Sequence, residues 1–298
     1  CRRLCRNGSA RTPRMLDFLH HLRSRYARQP ESAEREAMLD SLALATAALC
    51  RTTAFNSARD LPPQVACIGP TQSGKSSVVN WLTGQTLAGV SPLAGFTRHP
   101  QGFILDHAAA HSPHSIPCLA PSRRVAADNL SRDDLDTYTL ETVADHRMGA
   151  MLTLWDTPDF DSLTARSYRQ NVLAVAAMAD VVVMVASRDK YGDLSVWRTL
   201  ELLAPLRQPL IFVLNKVPPG AEQELREHLR DELDRLPGGV QTPLLVLPYA
   251  PPGQDGVLQE AIAEVRSTII QALAATPNPE RRQHDAVGRL LQHHWRTW

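Results

Sequence analysis

Cysteine, aromatic residues and long apolar runs are all scarce in this chain of 298 residues. The five cysteines are odd in number and scattered, which argues against a disulfide framework. The longest apolar stretch, residues 172–186, contains Asp180 and is too short to cross a bilayer. No apolar run follows the basic N-terminus, so we expect no signal peptide. These absences predict a soluble cytoplasmic protein.

A net charge of one sign is also lacking, since the formal value is only +1. The first 14 residues hold five arginines and no acid, so the rest of the chain is slightly negative. That balance gives no strong nucleic-acid signal. A hydrophobic content of 43% predicts a sizeable core and excludes wholesale disorder. The chain begins with Cys1, so either it is part of a longer protein or Met15 is the true start.

Apolar periodicity divides the chain into a helical start and an alternating region. Helical spacing predicts two amphipathic helices inside an N-terminal extension, residues 1–60, which also holds the basic leader. Strands are predicted at 64–68, 101–107, 137–144, 151–155, 181–186, 210–214 and 244–247, with 137–144 and 151–155 as neighbours. Helices are predicted at 76–82, 193–206, 221–236 and 257–275. This alternation predicts an α/β domain over residues 61–275, with a mostly parallel sheet and helices on both faces.

Two further segments flank or interrupt this domain. Residues 108–136, rich in Ala, Ser, Pro and Arg, are interpreted as an inserted loop. Residues 276–298 form an amphipathic C-terminal tail with Val287, Leu291 and Trp295 on one side. Three interpretations of the tail stay open: peripheral membrane or partner contact, packing against the N-terminal helices, or the start of a truncated domain.

One glycine-rich segment carries the strongest chemical signal. Residues 69–76 read G-P-T-Q-S-G-K-S, which fits G-x-x-x-x-G-K-[ST] between a predicted strand and a predicted helix. Such a loop wraps a phosphate with backbone N–H groups, and the helix N-terminus adds positive partial charge. Lys75 is expected to reach the β- and γ-phosphates, and the Ser76 hydroxyl to bind Mg²⁺. The predicted phosphate-binding residues are Gly69, Pro70, Thr71, Gln72, Ser73, Gly74, Lys75, Ser76 and Ser77.

A second motif, L-T-L-W-D-T-P-D, follows at residues 152–159. An acid at the end of an apolar strand is where P-loop proteins place the carboxylate that holds Mg²⁺. Asp156 is therefore the predicted magnesium ligand beside Ser76.

Together these motifs resemble the Era-like branch of the translation-factor-related P-loop GTPases. The likeness is carried by G-K-S-S-V-V-N-W-L-T-G at 74–84, G-V-S-P-L-A-G-F-T-R at 89–98, D-T-P-D at 156–159, N-K-V-P at 215–218 and Y-A at 249–250. It covers roughly residues 61–275 and implies a Ras-like G domain that binds GTP and GDP. By the resemblance, Thr97 is the switch threonine that closes over the γ-phosphate and Mg²⁺. Asn215 and Lys216 flank the guanine base, and Ala250 belongs to the weaker base loop.

Three positions depart from the family pattern. Pro218 replaces the aspartate that accepts two hydrogen bonds from guanine, which relaxes discrimination against adenine. Asp159 replaces the glycine whose N–H meets the γ-phosphate, so its carboxylate either points away or disfavours a triphosphate. Phe160 follows where many small GTPases have a water-positioning glutamine, and slow intrinsic turnover is expected.

The leading interpretation is a molecular switch that hydrolyses GTP to GDP with Mg²⁺. Lys75, Thr97 and Asp156 are its predicted catalytic residues, with Ser76, Thr97 and Asp156 on the metal. An activating protein or a homodimer would supply what the slow site lacks. Two alternatives remain: a degenerate scaffold that holds nucleotide without turnover, and an ATPase on the same fold.

Overall fold

The computed structural model describes residues 12–57, 61–89, 97–108, 116–131, 134–161, 165–236, 242–249, 255–275 and 285–290. The described strands are β1 (Gln64–Ile68), β2 (Gln101–Leu105), β3 (Arg123–Arg124), β4 (Thr137–Val143), β5 (Leu152–Asp156), β6 (Val181–Ser187), β7 (Leu210–Val217) and β8 (Leu244–Pro248). The described α-helices are α1 (Thr12–Ala27), α2 (Ala33–Ser57), α3 (Lys75–Thr83), α4 (Ala165–Met178), α5 (Leu194–Leu203), α6 (Glu222–Asp234) and α7 (Asp255–Ala274). Each strand and helix predicted from the sequence is present, with ends that differ by a few residues.

The strands form one sheet in the order β3-β4-β2-β5-β1-β6-β7-β8. Neighbouring strands run parallel except for β2 and β5, which are antiparallel. The predicted mostly parallel α/β fold is therefore confirmed. The predicted pairing of residues 137–144 with 151–155 is wrong, because β2 lies between β4 and β5. Spacing along the chain could not reveal this insertion, because β4 and β5 follow each other closely in the sequence while a long segment separates β2 from β4.

The two faces of the sheet have separate hydrophobic cores. Along β1, Ala66 and Ile68 join one core while Val65 and Cys67 join the other, as the alternation of side chains in a strand requires. The first core also receives apolar residues of α2, α4 and α5, and the second receives those of α3 and α7. Both faces are thus covered, and the carboxyl ends of β1, β5, β6 and β7 meet at one edge of the sheet.

The N-terminal extension is part of the first core. The segment 41–49 of α2 is buried throughout, and α2 packs against α1 and α4. Below it, the Arg51 guanidinium and the Asp180 carboxylate form a buried ion pair at 2.8 Å. The same carboxylate oxygen accepts the backbone N–H of Gln64 at 2.8 Å. This contact joins α2 to the starts of β1 and β6. Removing either partner would leave an uncompensated buried charge and strongly destabilise the folded protein.

Two regions differ from the sequence-based expectation. Helix α4 was not predicted, because its apolar residues run directly into those of β6 and hide the helical period. The inserted segment 108–136 contains β3, which pairs with β4, and two short 3₁₀ turns at Pro117–Leu119 and Ala127–Asn129. Ile116, Cys118 and Leu119 of this segment are buried in the first core. The insertion is thus partly a structural element of the domain.

The described part of the C-terminal tail is helical at 285–290. Val287 and Leu290 are buried in the first core, and Arg289 Nε donates to the Pro205 carbonyl at 2.8 Å. Leu291 and Trp295 lie outside the described residues. No helix in the described part of the chain is long and apolar enough to cross a membrane.

Candidate nucleotide-binding site

The glycine-rich loop connects the end of β1 to the first residue of α3, which confirms its predicted strand–loop–helix context. A Cβ at Gly69 would lie 2.0 Å from the Val185 carbonyl oxygen, so only glycine fits there. Gly74 has φ of +92°, and a Cβ on it would approach Asn215 Nδ2 to 2.3 Å. These constraints bring the loop close to the carboxyl ends of β6 and β7.

Lys75 is buried beneath this loop rather than extended into solvent. Its ammonium donates to the Pro70 carbonyl at 3.0 Å and to Asp159 Oδ1 at 2.5 Å. The side chain is only 5% exposed. Charge-assisted hydrogen bonds of this kind are the strong ones in proteins. Asp159 therefore does not point away from the loop but neutralises its lysine.

Ser76 and Asp156 meet next to this ion pair. The Ser76 hydroxyl donates to Asp156 Oδ2 at 2.7 Å. Asp156 is fully buried, and its Oδ1 has no hydrogen-bond partner within the described ranges. Burial raises the pKa of this carboxyl to about 6, while the Ser76 hydrogen bond and the charge of Lys75 act in the opposite direction. A buried carboxylate with a spare oxygen beside a hydroxyl is a suitable oxygen-donor set for Mg²⁺.

A third acid holds the segment after β5 against the loop. Asp161 Oδ1 accepts the Thr71 backbone N–H at 2.6 Å and the Thr71 hydroxyl at 2.7 Å. Asp161 Oδ2 lies 3.5 Å from Lys190 Nζ, in the turn after β6. Asp161 was not singled out from the sequence. The only available signal was its position two residues after Asp159.

The end of β7 contacts the opposite side of the loop. Asn215 is buried, and its Nδ2 donates to the Ser73 carbonyl at 3.0 Å. Its Oδ1 accepts the backbone N–H of Lys216 at 2.9 Å, and Lys216 Nζ donates to the Gln72 carbonyl at 2.7 Å. Both side chains therefore stabilise the glycine-rich loop through hydrogen bonds to its carbonyl groups. Pro218 follows them and offers no side-chain acceptor.

The site combines a glycine-rich loop, a lysine and a serine that follow it, and an aspartate at a strand end. The stretch of chain that carries these residues also matches the sequence model of a known family. The sequence model of the family described as 50S ribosome-binding GTPase matches residues 64–216, just over half of the chain. The chain belongs to this GTPase family. The P-loop GTPase fold expected from the motifs is thereby confirmed.

Solved structures to which the chain is similar include Era bound to MgGDPNP and a 16S ribosomal RNA segment, at 18% identity and a TM-score of 0.42. That match covers 70% of this chain and 57% of that chain. An Aquifex aeolicus Era variant bound to GDP·AlF4⁻ gives 18% identity, a TM-score of 0.43, and coverage of 69% and 56%. The bacterial selenocysteine-specific elongation factor gives 15% identity, a TM-score of 0.44, and coverage of 73% and 30%. The chain thus spans little more than half the length of the two Era structures. No curated protein sequence matches it.

Within this GTPase domain, two further predicted site residues, Thr97 and Ala250, stand outside the contacts described above. Thr97 is half-buried, and no hydrogen bond in the described ranges joins it to Ser76 or Asp156. Ala250 lies outside the described residues. Its neighbour Tyr249 pairs by its backbone N–H with the Val217 carbonyl at 2.7 Å, and its side chain is exposed. The roles of Thr97 and Ala250 stay predictions.

Proposed function

We propose that this GTPase-family chain binds GTP and GDP through residues 69–77 and hydrolyses GTP slowly, as a molecular switch. The observation that carries the proposal is the 2.7 Å contact between Ser76 and Asp156 directly beside buried Lys75. These are the three side chains that P-loop chemistry requires at the β- and γ-phosphates and the metal. These side chains come together from the start of α3 and the end of β5, so the loop is suited to bind phosphate and metal and is more than a tight turn.

Mg²⁺ is the metal that this donor set suits. Ser76 and Asp156 would hold it, with Thr97 as the third predicted ligand once nucleotide is bound. The ion would neutralise charge on the phosphate oxygens. A bound cation also favours the ionised form of Asp156, against the effect of burial on its pKa.

Lys75 is the proposed electrostatic catalyst. Its ammonium would stabilise charge that develops on the transferring phosphoryl group. In doing so its ammonium would be contested between Asp159 and the phosphate. Phe160 is buried and has no group to orient an attacking water, so intrinsic turnover is expected to be slow. An activating protein or a second copy of the chain would supply that function.

The switch itself would involve the segment after β5. Asp159 and Asp161 contact the phosphate loop directly, so a change in phosphate occupancy must alter these contacts. Ordering and release of such a segment is a common switching device in GTPases. Thr97 is proposed to respond to the γ-phosphate from the other side.

A second candidate is a scaffold that holds nucleotide without turnover. The Lys75–Asp159 ion pair favours it, because the pair removes the lysine from the phosphate site. Single-turnover phosphate release from bound GTP separates the two candidates. Release that depends on Lys75 supports the GTPase, whereas none at all leaves the scaffold.

The deciding test of the proposed function is titration calorimetry with GTP, GDP and ATP in the presence of Mg²⁺. Binding of GTP and GDP without ATP is the expected result. Equal binding of ATP would favour the alternative ATPase, which Pro218 permits by removing the guanine acceptor. Absence of binding by any of the three would overturn the proposal.

A further inference from the structure

Three carboxylates follow one another at residues 156, 159 and 161, and each engages a different group of the phosphate loop. Asp156 accepts from Ser76, which is the arrangement expected of a magnesium pair. The other two engage groups that a nucleotide phosphate would otherwise use. The phosphate loop is therefore lined by acids of its own chain.

Asp159 takes the position of an anion at Lys75. The lysine is nearly inaccessible to solvent, and its ammonium is shared between Asp159 and the Pro70 carbonyl. A γ-phosphate that approaches Lys75 meets this carboxylate and competes with it for the ammonium. Like charges at such short range repel strongly where water is largely excluded.

Asp161 keeps this arrangement in place. It accepts both the backbone N–H and the hydroxyl of Thr71, so one backbone donor of the loop already has a carboxylate partner. Lys190 holds the other oxygen of Asp161 and is itself paired with Asp193 at 2.9 Å. The segment that bears Asp159 is thus fastened to the loop on one side and to the turn after β6 on the other.

We propose that Asp159 is a specificity-determining residue that makes this site prefer a nucleoside diphosphate to a triphosphate, with Asp161 as the positioning residue that holds Asp159 on Lys75. The inference rests on the proposed nucleotide binding. A diphosphate lacks the γ-phosphate and therefore meets less of the repulsion. The resting protein is closed to triphosphate, and entry of a γ-phosphate requires the segment 157–161 to move off the loop.

The test compares affinities of GDP and a non-hydrolysable GTP analogue, both with Mg²⁺, for the whole chain and its variants. Asp159→Asn keeps the shape but removes the charge, and Asp159→Gly removes the side chain. Asp134→Asn is the matched control, because it removes one carboxylate charge at an exposed pair with Arg123 far from the loop. Unfolding curves for every variant check that the fold is retained.

We expect the unchanged chain to bind GDP more tightly than the analogue. Both Asp159 variants should tighten analogue binding by roughly ten- to hundredfold relative to GDP, the range for gain or loss of a charged hydrogen bond. Asp161→Asn should shift the same ratio in the same direction by less, which a merely structural role would not do. Asp134→Asn should leave the ratio unchanged.

The two proposals fail in distinguishable ways. If the chain binds both nucleotides and the Asp159 variants leave their affinity ratio unchanged, the inference is overturned and nucleotide binding stands. If neither the chain nor any variant binds a guanine nucleotide, the proposed function itself is overturned. If the unchanged chain binds GDP and only the Asp159 variants bind the analogue, the inference is supported in its strongest form, and the proposed hydrolysis of GTP by the unchanged chain is overturned.

Discussion

The phosphate side and the base side of this site are built differently. We define the phosphate side as residues 69–77 with the acids that follow β5, and the base side as residues 215–218 with Tyr249. On the phosphate side, Lys75 and Ser76 have carboxylate partners from a distant part of the chain. On the base side, the side chains of Asn215 and Lys216 donate hydrogen bonds to carbonyl groups of the loop, and Pro218 has no side-chain acceptor. The proposed recognition of phosphate and the proposed recognition of the base can therefore be tested by separate substitutions.

The largest effect is expected from a substitution on the phosphate side. Lys75→Ala should reduce GTP-analogue binding and single-turnover phosphate release by about hundredfold or more, since loss of one preorganised charged donor costs on this order. Because the single change removes the ammonium partner of Asp159, Lys75→Ala combined with Asp159→Asn is the companion variant. Exposed Arg123→Ala is the control for loss of a cation. A release rate that does not change with Lys75→Ala would rule out the proposed GTPase activity.

A smaller effect is expected from the base side, and it should not depend on the base. Asn215→Ala removes the donor to the Ser73 carbonyl and the acceptor for the Lys216 N–H. Leaving such buried groups unpaired costs about 1–3 kcal/mol of stability, measurable by denaturant unfolding. Affinities for GDP and ADP should fall by the same factor, whereas exposed Asn129→Ala should change neither. A loss of affinity for GDP without an equal loss for ADP would show that Asn215 contacts the base, and would contradict the comparison drawn above.

The smallest expected effect restores what the base side lacks. Pro218→Asp should raise the ratio of GTP to ATP affinity by roughly tenfold, since it introduces an acceptor for guanine N–H groups. Pro218→Ala is the matched control, because it removes the ring without adding an acceptor. Competition binding with the two triphosphates gives the ratio. If Pro218→Asp leaves the ratio as it was, the assignment of residues 215–218 to the base is wrong.

Local patterns predicted much of this molecule. The strand at 64–68, the loop at 69–74 and the helix that begins at Lys75 all follow from short-range rules, and the structure has them. Helix α4 escaped prediction because neighbouring α4 and β6 are both apolar, so period alone could not separate them. The position of β2 between β4 and β5 escaped for another reason. Strand order depends on pairing between distant segments, which no local pattern encodes.

The candidate site divides in the same way. The sequence placed Lys75, Ser76 and Asp156 in one chemical unit, because glycine spacing and strand ends are properties of a few consecutive residues. It left open which way Asp159 would point, and it did not single out Asp161.

The sequence by itself determined that a glycine-rich loop joins a strand to a helix and which family the chain belongs to, since backbone geometry at a strand–loop–helix junction is set locally. Only the tertiary structure decided what that loop contacts. The Lys75–Asp159 contact joins residues 84 positions apart, and the Thr71–Asp161 contact joins residues 90 apart. Whether a carboxylate faces a lysine across such a distance depends on how β1 and β5 pair in the sheet. That pairing is a property of the whole fold, and it places the Asp159 carboxylate on the lysine of the glycine-rich loop.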